Sequence, residues 1–217
     1  MNHITAFMCI RLNSKRVPNK SIKMLAGRPL FCWSAETIDK LNIPFFINCN
    51  DQDKLYSMLD FEPKNLKIIS RDPFLDTDLA KSEHHCMEFY NKIKSRYYLM
   101  THCTSPFVNK ATYLKTIKKV VDENHASAQT VEKFQTFGWF DNQPINFTIP
   151  REPTQDLKPI YIETMGAICY NENVAKMGLR INQLDCAFIE VDHIEGMDID
   201  TEEDFIMAEK YAKLKLY

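Results

Sequence analysis

The chain has 217 residues, 45% of them hydrophobic, enough for one core without a disulfide framework or a structural metal. With 27 Lys and Arg against 29 Asp and Glu, the formal net charge is −2, which argues against a nucleic-acid protein working through bulk charge. The 12% aromatic and 26% charged content argue against a disordered or fibrous chain.

Residues 4–10 (ITAFMCI) read as a nearly all-apolar strand, buried on both faces of a parallel sheet. A polar loop follows, and residues 29–41 then start with Pro and carry Leu30, Trp33 and Ile38 on one stripe, predicting a helix. The alternation continues with strands at 44–49, 66–70 and 97–101 and helices at 51–59, 80–93 and 111–123. In such sheets ligands bind beyond the carboxyl ends of the strands, so the loops starting at Arg11, Arg71 and His102 share one rim. A fifth strand is expected at 127–131. Residues 132–162, rich in proline and aromatics, then read as an excursion from the sheet that packs either on a partner subunit or as an irregular flap on its own domain. Strands return at 165–170 and 186–191, and Thr201 caps a final helix with Asp204 completing a capping box.

Seven cysteines are scattered with no CxxC pair, as reduced thiols would be. No apolar run approaches the roughly 20 residues of a membrane span. The N-terminus lacks the basic stretch and apolar core of a secretory signal, so the expected location is the cytoplasm, with no membrane or nucleic-acid partner.

The near-neutral total conceals an asymmetry. Residues 11–28 hold six basic and no acidic side chains, whereas residues 185–204 hold nine acidic ones and no Lys or Arg. A polyanion with a divalent cation suits two such stretches facing each other. The basic loop, RLNSKRVPNKSIKMLAGRPL, offers guanidinium, ammonium, hydroxyl and backbone N–H donors that neutralise and orient a triphosphate. It contains neither a Walker A loop nor a GxGxxG fingerprint. Asp198 and Asp200, two residues apart, lie on one side of an extended chain and are hard oxygen ligands of the kind Mg²⁺ takes. Elsewhere, the adjacent His84 and His85 point about 100° apart on a helix, poor geometry for a shared metal.

The loop at 11–30 resembles the nucleotide-binding signature of the acylneuraminate cytidylyltransferases, also called CMP-sialic acid synthetases, commonly ARxxSKxxPxKNxxxLxGxPL. RDPFLDTDLAKS from Arg71, TSP at 104–106 and DIDTEEDFIMAE at 198–209 are similar to further family segments and occur in the family's order. The resemblance implies a three-layer α/β/α fold, a mainly parallel Rossmann-like sheet of the nucleotide-diphospho-sugar transferase type. It implies a single domain over 1–217, with 132–162 as the dimerisation and substrate-closing excursion of a homodimer. It further implies transfer of CMP from CTP to the C2 hydroxyl of a nonulosonic acid, with Mg²⁺ on Asp198 and Asp200.

On this resemblance Arg11, Ser14, Lys15, Lys20, Ser21, Arg71 and Ser82 serve the nucleotide, and Arg11, Lys15, Lys20 and Asp200 carry catalysis. His102, Thr104, Ser105, Arg151 and Glu163 serve the acceptor. Ser21 and Met165 stand where the family usually has Asn, and His102 where it has Gln. Loss of the Asn at 165 points to a 5,7-diamino nonulosonate. The alternatives are a Kdo cytidylyltransferase, sharing the general fold, and a catalytically inactive nucleotide-binding or scaffold protein.

Overall fold

The computed structural model describes residues 3–14, 16–215 and 217. Its main sheet has seven strands: β1 (Ile4–Cys9), β2 (Phe45–Asn48), β3 (Leu66–Ile69), β4 (Tyr97–Thr101), β5 (Ser127–Phe134), β6 (Ile160–Asn171) and β7 (Cys186–Val191). Six helices accompany it: α1 (Leu30–Asp39), α2 (Gln52–Ser57), α3 (Ser82–Lys92), α4 (Lys110–Val121), α5 (Glu172–Lys176) and α6 (Glu202–Leu214). The spatial order is β7-β5-β6-β4-β1-β2-β3. Only β6 runs against its neighbours, antiparallel to both β4 and β5, so the mainly parallel α/β architecture expected from the sequence is present.

Alternation along the strands builds the layers. On β1, Ile4, Ala6 and Met8 join the core beneath α1 and α4, which includes Phe31, Ile38, Tyr113 and Ile117. Phe7 points the other way, into a core with Phe89 of α3, Tyr98, Tyr170 and Val174 of α5. There Phe7 and Phe89 stack with centroids 4.2 Å apart. A third cluster seats α6 through Phe205, Ala208 and Ala212 against Leu25, Leu30 and Phe107.

Because β1 and β4 are parallel, with Met8 opposite Thr101, the segments after them emerge side by side on one rim. The segment before α6 closes onto that rim, where the Ile199 amide donates to the Thr104 carbonyl at 2.9 Å. The predicted cap of α6 is present: the Asp204 amide donates to Thr201 Oγ1 at 3.2 Å, and the Thr201 amide to Asp204 Oδ2 at 2.8 Å.

The expected excursion is narrower than 132–162. Strand β5 continues to Phe134 and β6 already starts at Ile160, paired with Phe134, so the irregular part is 135–159. The polar Glu132 and Lys133 ended the apolar run, yet they continue the ladder opposite Ile162 and Tyr161. Phe147 and Leu157 are buried, whereas Trp139, Phe140, Ile145 and Ile149 are exposed. Helix α5, only five residues long, had no periodic signal to predict it.

Strand β6 is interrupted between Glu163 and Ile168. Met165 lies there in the left-handed region at φ 58°. Gly166 follows, where an added Cβ would lie 2.6 Å from Val108 Cγ2. Asn is one of the few non-glycine residues that tolerates a left-handed backbone, which supplies a backbone reason for the Asn this position resembles.

Candidate active site

The basic loop leaves β1 at the rim, passes a short helical turn at Lys20–Ile22 and reaches α1 through a two-residue ladder, Met24–Leu25 against Arg28–Pro29. That path lays Arg11, Ser14, Lys20 and Ser21 along a cleft of about 390 Å³ whose opposite wall is His102, Cys103 and Thr104. Arg16, absent from the predicted site, lines the same cleft.

The acidic segment meets this loop directly. Lys20 Nζ donates to the Ile199 carbonyl at 2.6 Å and to Asp200 Oδ1 at 3.2 Å, and Arg16 Nη2 donates to the same carboxylate oxygen at 2.9 Å. The Lys20 side chain is only 12% exposed, whereas Asp200 opens toward solvent. Asp198 sits deeper: its Oδ1 is buried with no hydrogen-bond partner among the described residues. Burial pushes the Asp198 carboxyl upward, with the charge of Asp200 adding to the shift and Thr104 and Lys20 opposing it.

Three residues in or beside the loop are held by structural contacts. Arg11 Nη1 donates to the Thr77 carbonyl and to Asp78 Oδ1, each at 3.3 Å. Arg71 is 3% exposed and pairs with Asp76, while its Nε has no partner among the described residues. Ser21 is buried, its hydroxyl donating to the Arg11 carbonyl at 3.3 Å and accepting from Cys103 Sγ at 3.5 Å, so it joins the loop to β4's exit. Asp76 and Asp78 were missed by sequence reasoning, although both lie in the RDPFLDTDLAKS segment and were detectable as anionic partners for the arginines.

His102 stands in the cleft wall with its Nε2 buried and unpartnered among the described residues. Burial, chiefly, together with the nearby charges of Arg180, His85 and Lys20 and against that of Asp200, lowers its pKa to about 4. The imidazole is therefore neutral at physiological pH and offers one donor and one acceptor, as the amide of a Gln does. Cys103 beside it has a thiol raised by burial, which suits packing and not nucleophilic chemistry.

Other predicted residues lie apart from this cleft. Ser105 is fully buried and donates to the Thr164 carbonyl at 3.5 Å. Glu163 accepts from Gln129 Nε2 at 3.0 Å on the β5/β6 ladder, and Arg151 lies over the Phe137 and Phe147 rings at 5.0 and 5.1 Å. Ser82, at the start of α3, lines a neighbouring cavity. Lys15 lies outside the described residues.

A mainly parallel α/β sheet whose rim brings a cationic loop against an acidic segment places a charged cleft at the carboxyl ends of its strands. The family model described as Cytidylyltransferase matches residues 7–217, and the chain belongs to that family. A search of curated proteins returns no match. Among solved structures, CMP:2-keto-3-deoxy-manno-octonic acid synthetase complexed with CTP superposes with a TM-score of 0.73 at 13% identity, covering 99% of this chain and 100% of that one. The 4-diphosphocytidyl-2C-methyl-D-erythritol synthase of Anaerococcus prevotii superposes at 0.67 with 14% identity, covering 97% and 98%. The bifunctional IspDF of Campylobacter jejuni gives 0.65 at 14% identity, covering 94% of this chain and 53% of that one. These likenesses concern the fold. Among the described residues no helix is long and apolar enough to cross a membrane.

Proposed function

We propose that this cytidylyltransferase transfers CMP from CTP to the C2 hydroxyl of a nonulosonic acid, with Mg²⁺ as its cofactor. The observation that supports this reading is the junction of Lys20 with the Ile199 carbonyl and the Asp200 carboxylate, which sets the basic loop against the acidic segment. In the reaction the C2 oxygen forms a bond to the α-phosphorus, the bond from that phosphorus to the bridging oxygen breaks, and diphosphate departs. The hydroxyl proton passes to water.

The carboxylates fit a divalent ion. Asp198 presents a buried oxygen without a hydrogen-bond partner among the described residues, and Asp200 is half-exposed where Lys20 and Arg16 pair with it. No cluster of three or more candidate ligands exists among the described residues. Mg²⁺ needs no such cluster, since one or two carboxylates with phosphate oxygens and waters suffice. When bound, the ion would supply charge neutralisation at the phosphates. Arg11, Ser14 and Lys20 line the cleft and orient the triphosphate, and neutral His102 offers hydrogen bonds without adding charge.

The exposed Trp139, Phe140, Ile145 and Ile149 support a homodimer contact through the excursion. Free thiols at all seven cysteines accord with a cytoplasmic setting.

Diphosphate release, measured over a panel of nucleotides and acids, tests the reading. CTP-dependent release that requires Mg²⁺ and a nonulosonic acid supports it, and turnover with Kdo alone would move the acceptor to the eight-carbon acid. Nucleotide binding without turnover across the whole panel would make the chain a nonenzymatic binder.

A further inference from the structure

A second cavity, of about 470 Å³, opens between the first turn of α3 and the loop that follows α5. Ser82, Glu83 and Cys86 form one wall, and Met177, Arg180 and Asn182 stand in the other. The loop is a fixed structure. Gly178 turns it at φ 70° with its Cα face close against Met87, its amide closes α5 by donating to the Ala175 carbonyl at 2.9 Å, and the Asn182 amide donates to Ser127 Oγ at 2.9 Å.

This pinned loop presents Arg180, half-buried and, among the described residues, without a hydrogen bond or ion pair. Arg180 shares this cavity with Cys86, whose Sγ lies 3.9 Å from Met100 Sδ of β4, two residues before His102 of the cleft wall. Ser82 of the cavity follows Asp78 of the cleft by four residues, so the two spaces border the same part of the molecule. On the cleft side, His102 Nε2 is buried and, among the described residues, unpartnered. A partly desolvated arginine without a counter-ion is costly unless an anion arrives to pair with it. Its planar fork matches a carboxylate bidentately. Arg151, the arginine singled out by the sequence, is instead exposed and lies over two phenylalanine rings of the excursion.

We propose that Arg180 is the carboxylate anchor of the acceptor, and that the cavity beside it holds the remainder of a sugar acid. This rests on the reading of the chain as a cytidylyltransferase acting on such an acid. In a nonulosonic acid the carboxylate and the reacting hydroxyl share one neighbourhood, so an anchor bordering the cleft holds that hydroxyl toward the Lys20 and Asp200 side. Glu83 and Asn182 are the polar groups available to hydroxyl or amino substituents, and Met177 offers an apolar contact for an acyl group.

The test compares wild type, R180M, R180K and R151M by diphosphate release, with a nonulosonic acid and with its C1 amide. R180M should raise KM for the acid roughly 30-fold or more, the scale of a lost charge-assisted pair, with KM for CTP within about twofold. R180K should recover part of the loss, and wild type and R180M should be nearly equal on the amide. Unchanged KM for the acid in R180M, or a rise confined to R151M, would overturn the anchor while leaving the proposed reaction standing. Absence of turnover by wild type with every acid would instead remove the reaction and the anchor together. A thermal melt of each variant separates misfolding from lost recognition, and R180K remains informative if R180M does not fold.

Discussion

Lys20 and Asp200, 180 positions apart, meet at 3.2 Å on the rim of the sheet, and the same ammonium group also holds the Ile199 carbonyl at 2.6 Å. The contact joins the wholly basic stretch 11–28 to the acidic stretch 185–204, and in the proposed reaction a triphosphate and a cation would take over these partners. Replacing Asp200 by Ala should lower turnover at limiting Mg²⁺ on the order of 100-fold, as loss of a preorganised electrostatic group does. K20M should act mainly on kcat/KM for CTP. Because the two side chains share one network, the double variant should lose less than the product of the single losses. Steady-state kinetics across a Mg²⁺ titration checks all three.

A second prediction concerns acid stability. His102 and His85 both have pKa values lowered to about 4 from an ordinary 6.5, chiefly by burial, with Arg180 the next influence on His102 and Arg71 on His85. Lys20 and Asp200 also act on His102, in opposite directions. The unfolded chain therefore binds protons that the native chain refuses. Stability is fully present above pH 6.5 and falls as pH drops from 6.5 toward 4. Between pH 7.5 and 5 the expected cost is about 2 kcal/mol for each histidine. Urea denaturation of H102Q at those two pH values should show a loss smaller than wild type by about that amount, since the amide does not titrate.

The parts of the molecule visible in the sequence were those carried by period and by charge. Strands β4 and β7 matched the expected limits because Tyr97 and Cys186 open apolar runs flanked by polar segments. Arg11, Ser14, Lys20, Ser21, His102 and Thr104 converge because the strands before them are adjacent and parallel, a consequence of the α/β rhythm. Ser105 was harder to place: its neighbour Thr104 lines the cleft, but a one-residue step along the exit from β4 turns Ser105 into the core. Arg180 had no motif at all. Its place depends on the turn at Gly178 and on the docking of α5 against α3, which are tertiary facts.

Met165 yields a test that inverts an ordinary preference. At most positions Ala is more stable than Gly, because glycine loses more conformational freedom on folding. Here φ is 58°, and only glycine adopts that region without the Cβ penalty. Met165 also packs against the cluster of Phe7, Phe89 and Tyr170, so both truncations lose the side-chain contacts beyond Cβ. M165G should therefore be more stable than M165A by about 1 kcal/mol, and M165N should be more stable than M165A as well. Chemical denaturation of the three variants measures this. If activity with each acid is unchanged in M165N, the Asn that the position resembles serves the backbone and not the substrate.

Asp204 couples the stability of α6 to the site. One of its oxygens, Oδ2, accepts from the Asp200 amide at 3.0 Å and from the Thr201 amide at 2.8 Å, so the carboxylate that starts the helix also holds the backbone of the proposed metal ligand. Two substitutions separate these duties. T201A removes the hydroxyl that accepts from the Asp204 amide but leaves the carboxylate near Asp200, and should cost about 1 kcal/mol of stability with little effect on turnover. D204A removes both backbone contacts and should cost a similar amount of stability while also raising the Mg²⁺ concentration needed for half-maximal rate. Paired thermal melts and Mg²⁺ titrations decide the matter: equal Mg²⁺ dependence in the two variants would show that Asp204 acts on the helix alone, whereas a rise confined to D204A would establish it as the residue that positions Asp200.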